Sequence, residues 1–140
     1  MNEQRLLAID YGEKRIGLAV TDPLNIFAYP LVTLSNDSNF QAQLKKIIDE
    51  YHVVKILLGY PLKESGAKSK ISIFIEKFKE DLEKNTGLPV EFVDERYSSE
   101  IAKQRIIETV PSKKKRRNKS LIDKNAAAVL LEDYISSKGI

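Results

Sequence analysis

The sequence contains no cysteine, no tryptophan and only one histidine, His52. Without cysteine the chain has no disulfide framework, no thiol catalysis and no cysteine-based zinc site. One histidine cannot build a histidine-rich metal site, and we interpret His52 as a structural or exposed residue. The absence of cysteine also fits a protein of a reducing compartment.

Long hydrophobic runs are absent as well. The first five residues are polar, and the apolar stretch that follows at residues 6–9 is too short for a signal peptide. No apolar run approaches the roughly 20 residues that a membrane-spanning helix needs. We therefore expect a soluble, cytoplasmic protein with no membrane partner.

Positive charge is concentrated in one segment of the chain. Six of the 23 Lys and Arg residues lie at positions 113–119, and the other 17 are outnumbered by 20 Asp and Glu residues. Such a basic segment is either a solvated loop or a surface that binds a polyanion through nonspecific phosphate contacts. The residues of this basic segment are Lys113, Lys114, Lys115, Arg116, Arg117 and Lys119.

The 140 residues favour a single domain over positions 1–140. Hydrophobic periodicity predicts strands at 6–10, 15–21, 27–34, 53–59 and 90–94. It predicts helices at 40–51, from 71 to about 86, from 98 or 99 to about 109, and at 120–137. Three strands joined by hairpins, then strands alternating with helices, indicate an α/β fold: a mixed five-stranded sheet with helices on both faces.

Several residues predict local structure within these elements. Gly12 is available for a positive φ in the turn between the first two strands. Pro30 places the third strand at a sheet edge or at a break. Asn36, Asp37 and Ser38 are candidate caps for the first helix, whereas the second helix has an apolar stripe. That stripe consists of Ile71, Phe74, Ile75, Phe78 and Leu82.

Asp10 and Asp123 are carboxylates in apolar surroundings. Asp10 ends a buried strand, where it either caps the next turn or serves a functional site. Asp123 is spaced at i, i+4 and i+7 with Ala127 and Leu130, which predicts that it faces the core or a cleft. The competing interpretation is a capping box from Ser120 to Asp123.

Asp94 and Glu95 end the fifth strand, and because side chains alternate along a strand they point to opposite faces. They are either a solvated strand end or part of a site. Carboxylates from separate elements are what Mg²⁺ or Mn²⁺ requires, and two such cations can promote phosphodiester cleavage. The sequence alone leaves open whether Asp10, Glu95 and Asp123 meet in space.

Four segments together resemble the signatures of the YqgF/RuvX family. Tyr60, Tyr97, Ser99 and Ser120 depart from the usual family residues, and none of these replaces an acidic residue. The segments cover nearly the whole chain, in the family's order: residues 10–20 (DYGEKRIGLAV), residues 58–62 (LGYPL) with Gly66, residues 94–99 (DERYSS), and Asn118 and Lys119 with residues 122–128 (IDKNAAA).

The resemblance implies a ribonuclease H-like fold and a hydrolase acting on ester bonds. It implies a divalent-metal-dependent nuclease that processes the 5′ end of pre-16S rRNA in ribosome biogenesis. Carried over by motif, Asp10, Glu95 and Asp123 are the catalytic residues and the ligands of Mg²⁺ or Mn²⁺. Asp94 is either a further ligand or a residue beside them.

Nucleic acid is the implied partner, with ribosomal precursor particles as its setting. Arg15 and Arg96 lie beside the acidic residues in sequence, where they either hold a phosphate or balance the acidic charge. Tyr60 and Tyr97 either stack on unpaired bases or pack in the core.

The sequence is also compatible with three alternatives. The first is Holliday junction resolution, an older interpretation of the same family, with branched DNA as substrate. The second is a noncatalytic RNA-binding factor in ribosome assembly. The third is the actin and sugar-kinase fold, which also opens with a strand, an Asp-x-Gly turn and a strand, but needs two such lobes. The oligomeric state and the number of metal ions are also open.

Overall fold

The computed structural model of the protein describes residues 4–61, 70–94 and 119–138, with side chains of the last segment from 122 to 137. Five strands and three helices lie in these segments. In chain order they are β1 (Arg5–Asp10), β2 (Arg15–Thr21), β3 (Ala28–Ser35), α1 (Phe40–Tyr51), β4 (Val53–Tyr60), α2 (Lys70–Thr86), β5 (Val90–Asp94) and α3 (Lys119–Lys138). The predicted strands and three of the predicted helices are confirmed within a few residues. The predicted helix at 98–109 lies outside the described residues.

The five strands form one mixed sheet in the order β3-β2-β1-β4-β5. β1 pairs antiparallel with β2, and β2 pairs antiparallel with β3. β4 pairs parallel with both β1 and β5. The predicted mixed sheet is thus confirmed, and the carboxyl ends of β1, β4 and β5 lie along one edge.

Helices cover both faces of the sheet, as predicted. Along β1, Leu7 and Ile9 join the apolar cluster that contains the buried residues of α1 and α2. Ala8, between them, joins the cluster of α3. Since side chains alternate along a strand, each position of β1 can be assigned to one face. The sheet face under α3 is lined by small residues, Ala8 and Ala19, so this helix can approach closely.

The turn between β1 and β2 differs from its prediction. Gly87 is the glycine with a positive φ among the described residues, and Gly12 has none. Gly12 is required for another reason: a Cβ there would collide with the backbone carbonyl oxygen of Arg15. The turn folds so tightly that only a hydrogen atom fits at this position.

Pro30 has both of the effects that its position predicted. β3 is an edge strand of the sheet. Its register against β2 shifts between Leu18 and Ala19, which pair with Val32 and Pro30, so that Leu31 is an extra residue on β3. A proline and a bulge both disfavour pairing with a further strand, so this edge is protected.

The helix ends and faces differ in detail from the sequence prediction. The N-cap of α1 is Asn39, which makes no side-chain cap hydrogen bond, so the predicted caps at 36–38 are wrong. Phe74 is 53% exposed and leaves the apolar stripe of α2, where Ser72 is buried instead. His52 is exposed and ends α1 in a left-handed conformation.

In the described segments, none of the helices is both long and apolar enough to cross a lipid bilayer.

Candidate active site

Asp10 is the last residue of β1 and lies at the edge where the parallel strands end. Its register partner on β2 is Gly17. Leu7 and Ile9 face α1 and α2, so the alternation of side chains places Asp10 on the opposite face, under α3. The side chain is partly buried.

Gly17 brings α3 to this end of the sheet. A Cβ at Gly17 would collide with the carbonyl oxygen of Asp123 and would lie 2.8 Å from the backbone nitrogen of Lys124. Both obstacles are backbone atoms, which cannot move aside as a flexible side chain can. Since Gly17 is paired with Asp10, the same contact places Asp123 next to the strand end that carries Asp10.

Asp123 points from α3 toward the sheet, as its helical spacing predicted. Ala127 and Leu130, one and two turns further on, are buried against the sheet. The capping-box interpretation is wrong, because α3 begins at Lys119 and Ser120 is already inside the helix. The Asp123 carboxylate pairs instead with Arg15: Arg15 Nε donates to Asp123 Oδ2 at 3.0 Å.

The backbone of Arg15 is held by the tight turn that precedes it. Asn36, which follows β3, donates from its side chain to the Gly12 carbonyl at 2.9 Å. Its backbone nitrogen donates to the Lys14 carbonyl, also at 2.9 Å. Asn36 is thus not the helix cap that its position in the sequence suggested, but the residue that fixes this turn.

Asp94 ends β5 at the same edge of the sheet as Asp10. Tyr60 of β4 pairs with Asp94, and Ile9 of β1 pairs with Leu58 of β4. Adjacent strands are about 4.8 Å apart, so the backbones at Asp10 and Asp94 are separated by about 10 Å. Within residues 4–61, 70–94 and 119–138, no three Asp, Glu or His side chains are grouped closely enough to hold a metal ion.

The other predicted site residues lie outside the described part of the chain. Glu95, the third predicted ligand, follows the last described residue of β5, and Arg96 comes next. Lys119 is described only as the first residue of α3. The others, which belong to the basic segment, are Lys113, Lys114, Lys115, Arg116 and Arg117.

The far half of α3 is fastened to the sheet through Lys55 of β4. Lys55 Nζ donates to the Tyr134 hydroxyl at 3.0 Å and lies 3.5 Å from Glu91 Oε1. The hydrogen bond to Tyr134 and the charge of Glu91 raise the pKa of Lys55 despite partial desolvation. An open cleft of about 540 Å³ runs beside Tyr134 and reaches Asp94.

Tyr60 packs in the core, the second of its two predicted roles. Its ring centroid is 4.5 Å from that of Phe92, and its hydroxyl donates to Glu76 Oε1 at 3.0 Å. Gly17 is the site residue to which sequence reasoning gave no separate role. A glycine inside a strand pattern often marks a close backbone approach, and that signal was present.

Comparison with known proteins identifies the family. A family model described as "RuvX: Holliday junction resolvase" matches residues 4–137. A protein of Flavobacterium psychrophilum named "Putative pre-16S rRNA nuclease" is 38% identical over 96% of this chain and 98% of its own length. A Chlorobium phaeobacteroides protein of the same name is 41% identical over 97% of this chain and 94% of its own.

Solved structures share the fold at low sequence identity. RuvC of T. thermophilus, in complex with a Holliday junction substrate, has a TM-score of 0.56 and 14% identity over 97% of this chain and 96% of that chain. Fowlpox virus resolvase with Holliday junction DNA has a TM-score of 0.55 and 18% identity, over 96% and 99%. The fold is ribonuclease H-like, as the motifs implied, and the chain belongs to the RuvX family.

Proposed function

We propose that this protein is a divalent-metal-dependent endonuclease that hydrolyses phosphodiester bonds in RNA. One observation carries the proposal. The fold brings Asp10, near the start of the chain, and Asp123, near its end, to the same corner of the sheet, packed around Gly17. Carboxylates brought together from distant parts of a chain are costly unless a cation or a set of donors balances them.

The donors at this corner fit hard cations. Asp10 and Asp123 offer carboxylate oxygens, which are the ligands that Mg²⁺ and Mn²⁺ prefer. His52 lies after α1, next to the start of β4 and so at the opposite end of the sheet, and the chain has no cysteine. We infer that Glu95, the residue that follows β5 in the sequence, completes the set; Asp94 is the last residue of β5.

Asp10, Glu95 and Asp123 would hold the cations. The basic residues would contact the phosphates of the substrate. When bound, Mg²⁺ or Mn²⁺ supplies activation of water and stabilisation of the leaving oxygen. Asp10 ends β1 and Asp123 lies in α3, so two of these carboxylates sit on regular elements that pack against each other at Gly17. No histidine is needed as a general base, which suits a chain whose single histidine is remote.

We propose pre-16S rRNA, at its 5′ end, as the substrate. The names of relatives that are 38% and 41% identical over nearly their whole length support this choice. The basic segment at 113–119 and Arg96 would contact phosphates, and the natural setting would be a ribosomal precursor particle in the cytoplasm.

The test is cleavage of an RNA transcript that contains the 5′ leader of 16S rRNA, in Mg²⁺ and in Mn²⁺. We expect Asp10→Asn to lower the rate at least about a hundredfold, because it removes a carboxylate needed in the transition state. Asp49→Asn is the matched control: Asp49 is exposed on α1, away from the site. Equal cleavage by Asp10→Asn and wild type would show that the assignment of Asp10 is wrong.

Branched DNA is the second candidate substrate. It is favoured by the description of the family model that matches residues 4–137. The same enzyme preparations, given a four-way DNA junction, separate the two: the proposal expects the RNA to be cut faster. Binding of either nucleic acid with no cleavage in any metal, together with full complementation by Asp10→Asn in cells, would favour a noncatalytic assembly factor.

A further inference from the structure

The contact between Arg15 and Asp123 uses only one of the three guanidinium nitrogens. The donor is Nε, and the side chains of Arg15 and Asp123 are 36% and 22% exposed. A guanidinium carries five N–H groups, four of them on the terminal nitrogens. Across residues 4–61, 70–94 and 122–137, the Asp123 carboxylate is the one side-chain partner of Arg15. Within these described segments, no side chain occupies the fork formed by the terminal nitrogens.

Arg15 is also held unusually firmly for a partly exposed arginine. Its carbonyl oxygen is packed against Gly12, and its strand pairs with β3 at Ser35. The Asn36 hydrogen bonds fix the turn on its other side. With Nε anchored on Asp123, few rotations of the side chain remain. An arginine held in this way loses little conformational entropy when its fork binds a planar pair of oxygens.

Charge indicates what the fork would bind. Asp10 lies beside Asp123 at this corner of the sheet, so a phosphodiester that approaches it meets negative charge. The approach needs a cation in contact with the site, and Arg15 is the cation that touches Asp123 in the described structure. Two phosphate oxygens match the spacing of the guanidinium fork.

We propose that Arg15 is a phosphate clamp that Asp123 positions. Its Nε stays on Asp123, and its terminal nitrogens bind the two nonbridging oxygens of an RNA phosphodiester at the site. The inference rests on the proposed function for its ligand, and it adds that one carboxylate serves two purposes: Asp123 holds a cation and also orients the arginine that receives the substrate.

The test measures RNA binding without cleavage. A fluorescein-labelled RNA hairpin with a single-stranded 5′ extension is titrated with protein in EDTA at low salt, and its anisotropy is recorded. Arg15→Gln is expected to weaken binding about tenfold. Lys77→Gln is the matched control, because Lys77 is exposed on α2 and loses the same charge. Equal losses of RNA affinity in the two variants would mean that Arg15 contributes only its positive charge, which would overturn the proposal.

Arg15→Lys separates the fork from the charge. An ammonium group can pair with Asp123 or with the phosphate, but it lacks the planar fork that does both. We expect Arg15→Lys to bind the hairpin nearly as weakly as Arg15→Gln does. Wild-type affinity in Arg15→Lys would overturn the role of the fork. Circular dichroism melting of each variant confirms that the proteins compared are folded.

A double-mutant cycle tests the anchoring by Asp123. In an Asp123→Ala background, Arg15→Gln should weaken RNA binding by no more than about threefold, because the arginine has already lost its anchor. A full tenfold loss in that background would mean that Asp123 does not position Arg15.

Failure of the proposed function is recognised separately. Mn²⁺ binding without RNA, followed by electron paramagnetic resonance, should be as tight in Arg15→Gln as in wild type or tighter, since a competing cation has been removed. A wild-type protein that binds no Mn²⁺ and cuts no RNA would contradict the nuclease, whereas the metal-free binding cycle would still decide the role of Arg15. Weaker Mn²⁺ binding in a folded Arg15→Gln protein whose RNA affinity in EDTA is unchanged would show that Arg15 serves only to build the metal site.

Discussion

At the scale of single residues, Gly17 decides whether the site exists. It is the register partner of Asp10, and its missing side chain is what admits the backbone of α3 at Asp123. The residue thus joins the two described acidic groups of the site, although it carries no functional group itself. Only glycine fits at this position, because any Cβ would meet backbone atoms of Asp123 and Lys124.

We predict that Gly17→Ala pushes α3 off the sheet. Overpacking of this kind costs roughly 1–3 kcal/mol in the free energy of unfolding, measured by urea denaturation. The rate of RNA cleavage should fall at the same time, because Asp123 moves away from Asp10. Gly87→Ala is the control: Gly87 has a positive φ of 70°, and a Cβ there would meet no atom of the described residues within 4 Å. It should lose about 1 kcal/mol of stability and keep its cleavage rate. A fully stable and active Gly17→Ala protein would contradict the close packing.

Individual residues differ in how well their roles could be predicted from the sequence. The helical spacing of Asp123, Ala127 and Leu130 was sufficient to predict which side of α3 faces the sheet. Local patterns were less reliable: Ser120 resembled a cap, yet the helix starts one residue earlier. Gly12 suggested a positive φ, whereas its actual role is a close approach to Arg15. For the contact between Gly17 and Asp123, the sequence shows a glycine within a strand pattern but does not show which residue it meets.

At the scale of elements, the loop from β2 to β3 is organised by one carboxylate. Asp22 Oδ1 accepts hydrogen bonds from the backbone nitrogens of Ile26 and Phe27, both at 2.7 Å. Its Oδ2 accepts one from Leu24 at 3.2 Å. These hydrogen bonds, led by the one from Phe27, hold the pKa of Asp22 below its ordinary value of 3.8. The loop in turn fixes where the edge strand β3 begins.

We predict that Asp22→Ala lowers the free energy of unfolding by about 1 kcal/mol at pH 7, because the hydrogen bonds lie at the surface and are screened. The carboxyl pKa is depressed in the folded state, so its contribution is present above the unfolded value of 3.8. It is lost as the pH falls through the lower folded value. Urea unfolding of both proteins should therefore give curves that converge below pH 3.8. A difference that stays constant down to pH 2 would contradict this role.

The elements were easier to predict than their contacts. Hydrophobic periods of two and of about 3.6 residues gave five strands and three helices close to their observed bounds. Pro30 correctly indicated both an edge strand and a break. Phe74 was misplaced because Ser72 turns inward on α2, and a purely hydrophobic pattern does not register a buried serine.

At the scale of the whole molecule, charge is divided between the acidic fold body and the basic segment at 113–119. Six of the 23 basic residues lie in that segment, whereas Asp10 and Asp94 end their strands at one edge of the sheet. We infer that the basic segment supplies general affinity for phosphates and that Arg15 supplies the local contact. The single-domain organisation over residues 1–140 and the role of the basic segment stay predictions.

We predict that replacing residues 113–117 by serine causes a large loss of RNA affinity at low salt. The slope of log affinity against log salt should become shallower, because each lost phosphate contact removes roughly 0.7 to 0.9 from its magnitude. Replacement of four exposed Lys residues on α1 and α2 by serine serves as the control: Lys45, Lys46, Lys77 and Lys84. An unchanged slope in the serine variant, measured by anisotropy at several salt concentrations, would assign the basic segment no part in binding.

We propose that Asp10, Glu95 and Asp123 share a site for divalent cations. Anomalous diffraction from a crystal of the protein soaked in Mn²⁺ would locate that site. We expect one or two manganese peaks, about 4 Å apart if there are two, ligated by oxygens of these three carboxylates. Manganese bound elsewhere, with the three carboxylates too far apart to ligate the same one or two metal ions, would contradict this assignment.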